Sequence, residues 1–203
     1  HDARVSHRNL WPGTLVTDVD AAGINHVRLA RFEMSAMVAN LLSSRRADAT
    51  VRDQVRAFYL SQDPRSLVYM APERLPFGFG ETPVDMVTPV SDVFSLGMIA
   101  IEWMLGSAAL SGPYGSVEEV RASQERVRVS VERSTLPVLV RSILAGMIDP
   151  EPPSRWLANV VTTKLSSYFE TARAADSYQV NAPHIIVYMP GSEATDLTLG
   201  KWG

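Results

Sequence analysis

The sequence predicts a mainly helical domain with one small β-hairpin near its start, and three observations carry that reading. Beyond residue 90, apolar residues recur at helical spacing in four successive stretches. Before residue 31, two short runs of β-branched or alternating residues flank Ala21-Ala22-Gly23. Prolines fall at the breaks between the later stretches, at Pro137 and at Pro150, Pro152 and Pro153.

Taken in order, Thr14 to Asp18 and His26 to Ala30 form the expected hairpin. Residues 34 to 68 follow, with Met34, Met37, Val38, Leu41 and Leu42, then Arg45-Arg46 and Val51 to Tyr59, at a spacing that predicts at least one helix. Unstructured loops above about 12 to 15 residues are uncommon, so this segment is either folded onto the domain or held by a partner. From Val90 onward the pattern is helical. Ser91 is the predicted N-cap, Asp92 places a negative charge in the first turn, and Val93, Leu96, Ile99, Ala100, Trp103 and Met104 make a wide apolar stripe. This helix is expected to be the central post of the domain. Three more amphipathic helices are predicted over Val117 to Arg128, Leu136 to Ile148 (with Pro137 at an early helical position) and Trp156 to Ala174. A boundary falls near Ala175. Residues 176 to 203 form an extension with a strand-like core, Ile185-Ile186-Val187-Tyr188, closed by Pro190-Gly191. That apolar run needs a cover. The expectation is a sheet edge on a neighbouring subunit, because the chain itself offers only a two-stranded hairpin.

Bulk properties narrow the function. With 203 residues, 46% hydrophobic and 20% charged, the chain has the composition of a folded globular domain. The net charge is −3 and the 19 Lys and Arg are scattered, which argues against nucleic-acid binding. The longest apolar stretch, Gly97 to Leu105, carries Glu102 and falls far short of the ~20 residues a membrane helix needs, so an integral membrane protein is not expected. There are no cysteines, hence no disulfide, zinc-thiolate or thiol chemistry. The four histidines at 1, 7, 26 and 184 lack metal-ligand spacing, and no Gly-x-Ser-x-Gly elbow is present, so neither a metal site nor a Ser-His-Asp site is predicted.

Five motifs occur in one order along the chain. They are His7-Arg8-Asn9-Leu10-Trp11-Pro12-Gly13-Thr14, Val27-Arg28-Leu29-Ala30-Arg31-Phe32-Glu33, Tyr69-Met70-Ala71-Pro72-Glu73-Arg74-Leu75, Ser91-Asp92-Val93-Phe94-Ser95-Leu96-Gly97 and Asp149-Pro150-Glu151-Pro152-Pro153-Ser154-Arg155-Trp156. Together they resemble the landmarks of the protein-kinase catalytic C-terminal lobe: the catalytic loop, Asp-Phe-Gly, Ala-Pro-Glu, the start of the central helix, and the segment carrying the arginine that pairs with the Ala-Pro-Glu glutamate. The resemblance spans roughly residues 1 to 172 and identifies the chain as similar to a pseudokinase.

In that family the catalytic loop reads His-Arg-Asp-Leu-Lys-Pro-x-Asn. Its Asp accepts the substrate hydroxyl proton, its Lys steadies the phosphoryl group and its Asn holds magnesium. Those three positions are Asn9, Trp11 and Thr14 here, and the metal-binding Asp of Asp-Phe-Gly is Arg31. Asn9 cannot act as a carboxylate base, and an arginine has five donors and no acceptor to offer a cation. Two further readings of Arg31 and Trp11 stay open: Arg31 as a direct phosphate contact, and Trp11 either as packing or as an aromatic anchor for a partner. The resemblance implies structural roles for the residues that are kept. His7 and Phe32 would stack between catalytic loop and activation segment, Asp92 would accept from backbone amides of the loop, and Glu73 and Arg155 would form a buried ion pair. Arg8 would meet either a phosphate on Ser61 or Ser66, or a carboxylate, or solvent.

The resulting expectation is a mainly α, protein kinase-like C-lobe with a small β-hairpin over residues 1–175, in which 33–70 replace the activation segment, followed by the extension 176–203. The N-lobe, with Gly-x-Gly-x-x-Gly and Val-Ala-x-Lys, is absent from this sequence, which leaves a lobe standing alone, a proteolytic product or the ordered part of a longer protein. The expected function is that of a non-catalytic interaction or structural subunit without cofactor or metal. Its partners would be other protein subunits, facing 34–68, Trp11 and Ile185, Ile186, Val187 and Tyr188, and its compartment intracellular, cytoplasmic or organellar. The alternatives are an atypical kinase completed by an N-lobe outside the sequence, with Asp18 or Asp20 taking over metal binding, and an allosteric regulator of an active kinase.

Overall fold

The structure is a computed structural model that describes residues 6–21, 23, 25–32, 64–79, 89–174, 184–187 and 195–198. The helix expected within 34–68 falls outside these residues up to position 63, as does Tyr188. The described chain is mainly helical and divides into two compact units. One comprises His1–Trp11 and Phe32–Ala158, the other Pro12–Arg31 and Asn159–Gly203, a division that differs from the boundary drawn near residue 175. No helix among the described residues is long and apolar enough to cross a membrane.

The first unit is built around a 17-residue helix, α2 (Pro89–Leu105), preceded by a short helix α1 (Leu75–Gly78). Proline is favoured at the first helical position, so α2 starts two residues before Ser91. Ser91 is therefore not the N-cap that its sequence position suggests. Its hydroxyl lies inside the first turn and donates to Glu73 Oε1 at 2.7 Å. Met98, Ile99 and Ile101 are fully buried, whereas Leu96 and Trp103, part of the expected stripe, are 40% and 51% exposed. At Gly97 a Cβ would stand 2.8 Å from Ile148 Cγ2 and 2.9 Å from Met147 Cβ, so the absent side chain permits a close approach of the two segments.

Helix α3 (Val117–Arg133) runs one and a half turns past the predicted end, because Val131 continues the buried row of Val117, Val120 and Val127. Ser116 caps it, accepting from Glu119 N at 3.2 Å, and the Glu119 carboxylate reaches back to Gly115 N at 2.7 Å. Helix α4 (Val138–Met147) buries Val140, Ile143, Leu144 and Met147. Pro137 precedes it as the N-cap with ψ 142°, rather than lying within the first turn, and its carbonyl accepts the first helical bond from Arg141 N. Leu67, Met70, Leu75, Phe77, Val117 and Val120 form a core cluster that ties the 3-10 turn Pro64–Tyr69 and α1 to α3. Tyr69 closes one side: its hydroxyl donates to Glu102 at 2.7 Å, and burial together with that carboxylate holds it protonated, well above its ordinary range.

The second unit holds a four-stranded sheet and helix α5 (Ala158–Ala174), which starts two residues later than the sequence predicts. Strands β1 (Leu15–Val19) and β2 (Asn25–Leu29) make the antiparallel hairpin, in register from Leu15 opposite Leu29 to Val19 opposite Asn25. Gly23, at φ 79°, supplies the left-handed residue in the connection, and its N–H donates to Asp20 O at 3.0 Å. The C-terminal extension adds β3 (His184–Val187) and β4 (Thr195–Thr198), giving the order β1-β2-β3-β4. β3 lies parallel to β2, with His26 opposite Ile186 and Val27 opposite Val187. This corrects the expectation of a neighbouring subunit as cover for 185–187. The extension closes on the chain's own hairpin, where its main-chain groups find partners and β4 then covers β3 from the far side.

Candidate functional site

The loop from His7 to Trp11 is held by its backbone. Asp92, in the first turn of α2, accepts from His7 N at 2.6 Å and from Arg8 N at 2.9 Å. The carbonyl of Arg8 accepts from the guanidinium of Arg74, which is buried. Arg8 itself has φ 71°, a left-handed conformation that costs an L-residue roughly 1–2 kcal/mol. Gripped on its N–H by Asp92 and on its C=O by Arg74, the residue cannot relax without breaking two charged hydrogen bonds. Strain of this kind persists where surrounding structure over-determines it, and it concentrates at functional sites and switch regions.

Next to it the buried His7 ring meets Phe32 at a centroid distance of 4.5 Å and a tilt of 57°, while Phe32 remains 43% exposed. His7 Nδ1 accepts from Asn9 N at 3.4 Å. Leu10 is buried, and Asn9 and Trp11 are half-buried. Asn9 thus contributes an amide and Trp11 an indole, and neither can take a proton at neutral pH.

The same unit holds a second charged cluster. Arg155 bridges both carboxylate oxygens of Glu73, at 2.9 and 3.0 Å. It also donates to the carbonyls of Asp149 at 2.8 Å, Val90 at 3.2 Å and Pro150 at 3.3 Å, and stands 5.0 Å above the Phe94 ring. Its side chain is 0% exposed against 17% for Glu73. Burial alone would push the Glu73 carboxyl upward. The hydrogen bonds from Arg155 and Ser91 and the Arg155 charge outweigh it and hold the group below the usual carboxylate range.

In the other unit, Thr14 is buried and its carbonyl accepts from Ala30 N at 2.9 Å, whereas Arg31 is exposed with φ 63°, a second strained arginine. Asp18 and Asp20, weighed above as substitute metal ligands, are engaged along the hairpin: Asp18 with Arg28 at 3.1 Å and Asp20 with His26 at 2.9 Å. Among the described residues no group of three His, Asp or Glu side chains converges in a way that could hold a metal ion.

Ser66 lines a small pocket beside Arg8, while Ser61 lies outside the described residues. Sequence reasoning did not single out Arg74, Ser91 as a side-chain donor, or Gln124, whose amide donates to the carbonyls of Val68 and Met70 at 3.0 and 2.7 Å. Arg74 had one legible signal, a charge that, with Glu73, interrupts the otherwise apolar run from Leu67 to Phe77. No protein-family model matches the chain, and no curated protein matches it.

Proposed function

We propose that this chain is a catalytically inactive, protein kinase-like C-lobe that serves as an interaction or structural subunit of a larger protein assembly. The observation that carries the reading is the contrast within the His7–Trp11 loop. Its backbone is gripped by Asp92 and Arg74 in a strained conformation, yet the side chains at its reactive positions are Asn9 and Trp11. The frame is maintained at an energetic cost while the groups that would perform phosphoryl transfer are missing. The Glu73–Arg155 pair belongs to the same frame, joining the Ala-Pro-Glu turn to α2 and to the 149–155 turn. Thr14 and Arg31 offer no carboxylate or amide oxygen to a divalent cation. An atypical kinase relying on Asp18 or Asp20 finds little support, since Asp18 is already paired with Arg28 and Asp20 is held by the His26 ring at 2.9 Å.

The test is radiolabelled phosphate transfer with the full chain and magnesium-ATP, alongside recovery of the native protein with its stoichiometric companions. The reading expects no incorporation and a constant set of protein subunits. Incorporation that disappears on changing Asp18 or Asp20 to Asn would overturn it.

A further inference from the structure

In the second unit the sheet order β1-β2-β3-β4 leaves β1 at an edge, with β2 as its one strand neighbour among the described residues. The ladder fixes which of its main-chain groups face outward. Ala30 N–H donates to Thr14 O at 2.9 Å, and these two residues stand opposite each other when the register of Leu15 with Leu29 is continued by one position. Hydrogen-bonded and non-hydrogen-bonded pairs alternate along an antiparallel ladder, so Val16 and Asp18 turn their N–H and C=O groups toward β2. Leu15, Thr17 and Val19 therefore turn theirs to the open side. An edge of this kind is a template for another strand unless lysine, proline or a bulge blunts it. Leu15–Val19 holds no lysine or proline, pairs with β2 without a bulge, and carries one charge, Asp18, already matched by Arg28 at 3.1 Å. Val16 and Val19 are nonetheless 49% and 62% exposed.

The strand is complementary to itself. A two-fold axis through Thr17 sets a second, antiparallel copy so that Leu15 lies opposite the partner's Val19, Thr17 opposite the partner's Thr17, and Val16 opposite the partner's Asp18. Every residue with outward main-chain groups then faces another such residue, so each of these pairs exchanges both of its hydrogen bonds. Apolar side chains meet on one face and two threonine hydroxyls meet at the axis, both favourable cross-strand pairs. On the other face each carboxylate meets a valine and keeps its own Arg28, so no like charges stand directly opposite. Other two-fold registers fit worse. An axis through Asp18 would set two carboxylates face to face, and one through Val16 would leave the outward groups of Val19 beyond the paired stretch.

From this edge we infer that two copies of this chain pair through β1, antiparallel about a two-fold axis at Thr17, and join their four-stranded sheets into one continuous sheet. Main-chain hydrogen bonds supply the affinity, and the charge pattern of Leu15–Val19 selects the register. The inference does not rest on the loop reading: its readout is oligomeric state, so it and the absence of phosphate transfer fail separately.

The experiment is analytical ultracentrifugation of the full chain from about 1 to 200 μM, the span over which a weak homodimer assembles. A reversible monomer–dimer equilibrium is expected. Thr17→Pro removes an N–H that points only outward and leaves the bonds to β2 in place, as edge strands tolerate. It should raise the dimer dissociation constant about tenfold or more, since two hydrogen bonds at the axis are lost. Thr17→Lys and Thr17→Asp each set like charges opposite one another at the axis, so each alone should dimerise more weakly, and an equimolar mixture of the two should recover the dimer. Hydrogen exchange at the Val16 and Asp18 amides, which bond to β2, reports whether the hairpin survives each change. Should the Pro variant lose that protection, the Lys and Asp variants decide. A monomer throughout the concentration range, a dimer of equal strength in all the variants, or a mixture no tighter than its components overturns the proposal.

Discussion

Replacing Arg155 with Met keeps much of the side-chain volume but removes every hydrogen bond the guanidinium makes. Glu73 then loses its bidentate partner, and the carbonyls of Asp149, Val90 and Pro150 lose a donor at the same moment. Breaking one side of a buried ion pair costs about 3–5 kcal/mol, because the remaining charge is left without compensation. Glu73 keeps 17% of its side chain in contact with water and retains the Ser91 hydroxyl, which places the expected loss near the lower end, about 3 kcal/mol. Against the roughly 5–15 kcal/mol that stabilises a typical domain, this is a large fraction. Urea unfolding of the full chain, extrapolated linearly, measures it. Glu73→Leu should cost a similar amount, and the double variant much less than the sum, with a coupling of about 1–3 kcal/mol. Single losses below about 1 kcal/mol that add in the double variant would refute the reasoning, since they would mean that the pair is hydrated or unformed in solution. The same pair gives a pH dependence. Because the folded state holds the Glu73 carboxyl below its ordinary value, its contribution is present above the unfolded carboxylate range near ~4.3 and is lost as pH falls through the depressed folded value. Glu73→Gln should flatten that acid limb.

Gly146→Ala should destabilise the first unit by about 1–3 kcal/mol, since a Cβ there would lie 2.4 Å from the Trp156 ring, and the Trp156 backbone N–H donates to the Gly146 carbonyl; thermal melting reads the loss, and an unchanged melt would place the indole elsewhere. Ser116→Ala should cost ~1 kcal/mol and raise amide exchange in the first turn of α3, with Ser116→Asp restoring it. Asp92→Ala strips the acceptor from two loop amides, so protection of the His7 and Arg8 amides in hydrogen exchange should fall, while Asp92→Asn, which keeps one acceptor oxygen, should fall less. Deleting residues 180–203 removes β3 and should expose the β2 amides that face it to faster exchange; unchanged protection at His26 and Val27 would contradict the parallel pairing.

Local elements were readable where local chemistry decides them. The hairpin followed from two β-branched runs around a glycine, and α3 from its valines at helical spacing. What the sequence hid was decided by distant partners. Ser91 has every property of an N-cap, yet its hydroxyl bonds a glutamate 18 positions away, and proline starts the helix earlier. The predicted stripe of α2 reaches the core at Val93 and Ile99, but Leu96 and Trp103 are exposed and Phe94, Met98 and Ile101 are buried in their place, because a nearly all-apolar helix gives periodicity little contrast with which to choose a face. Helix α5 begins at Ala158 and not at Trp156, since the indole turns back to pack on Gly146. Of the loop, its motif was visible, but neither the left-handed arginine nor the buried Arg74 that fixes its carbonyl could be read from periodicity. The join of 184–187 to β2 depends on a closure across more than 150 positions, for which an apolar tetrapeptide alone carries no address.

The central claim is that the frame of the His7–Trp11 loop persists without the chemistry it would serve. The most direct measurement is calorimetric titration of the full chain with ATP in the presence and absence of magnesium. The account predicts no magnesium-dependent heat of binding, because Asn9 supplies no carboxylate base and the positions of Thr14 and Arg31 supply neither a carboxylate nor an amide oxygen for the cation. Saturable, magnesium-dependent binding that Arg31→Asp leaves unchanged, or weakens, would contradict it.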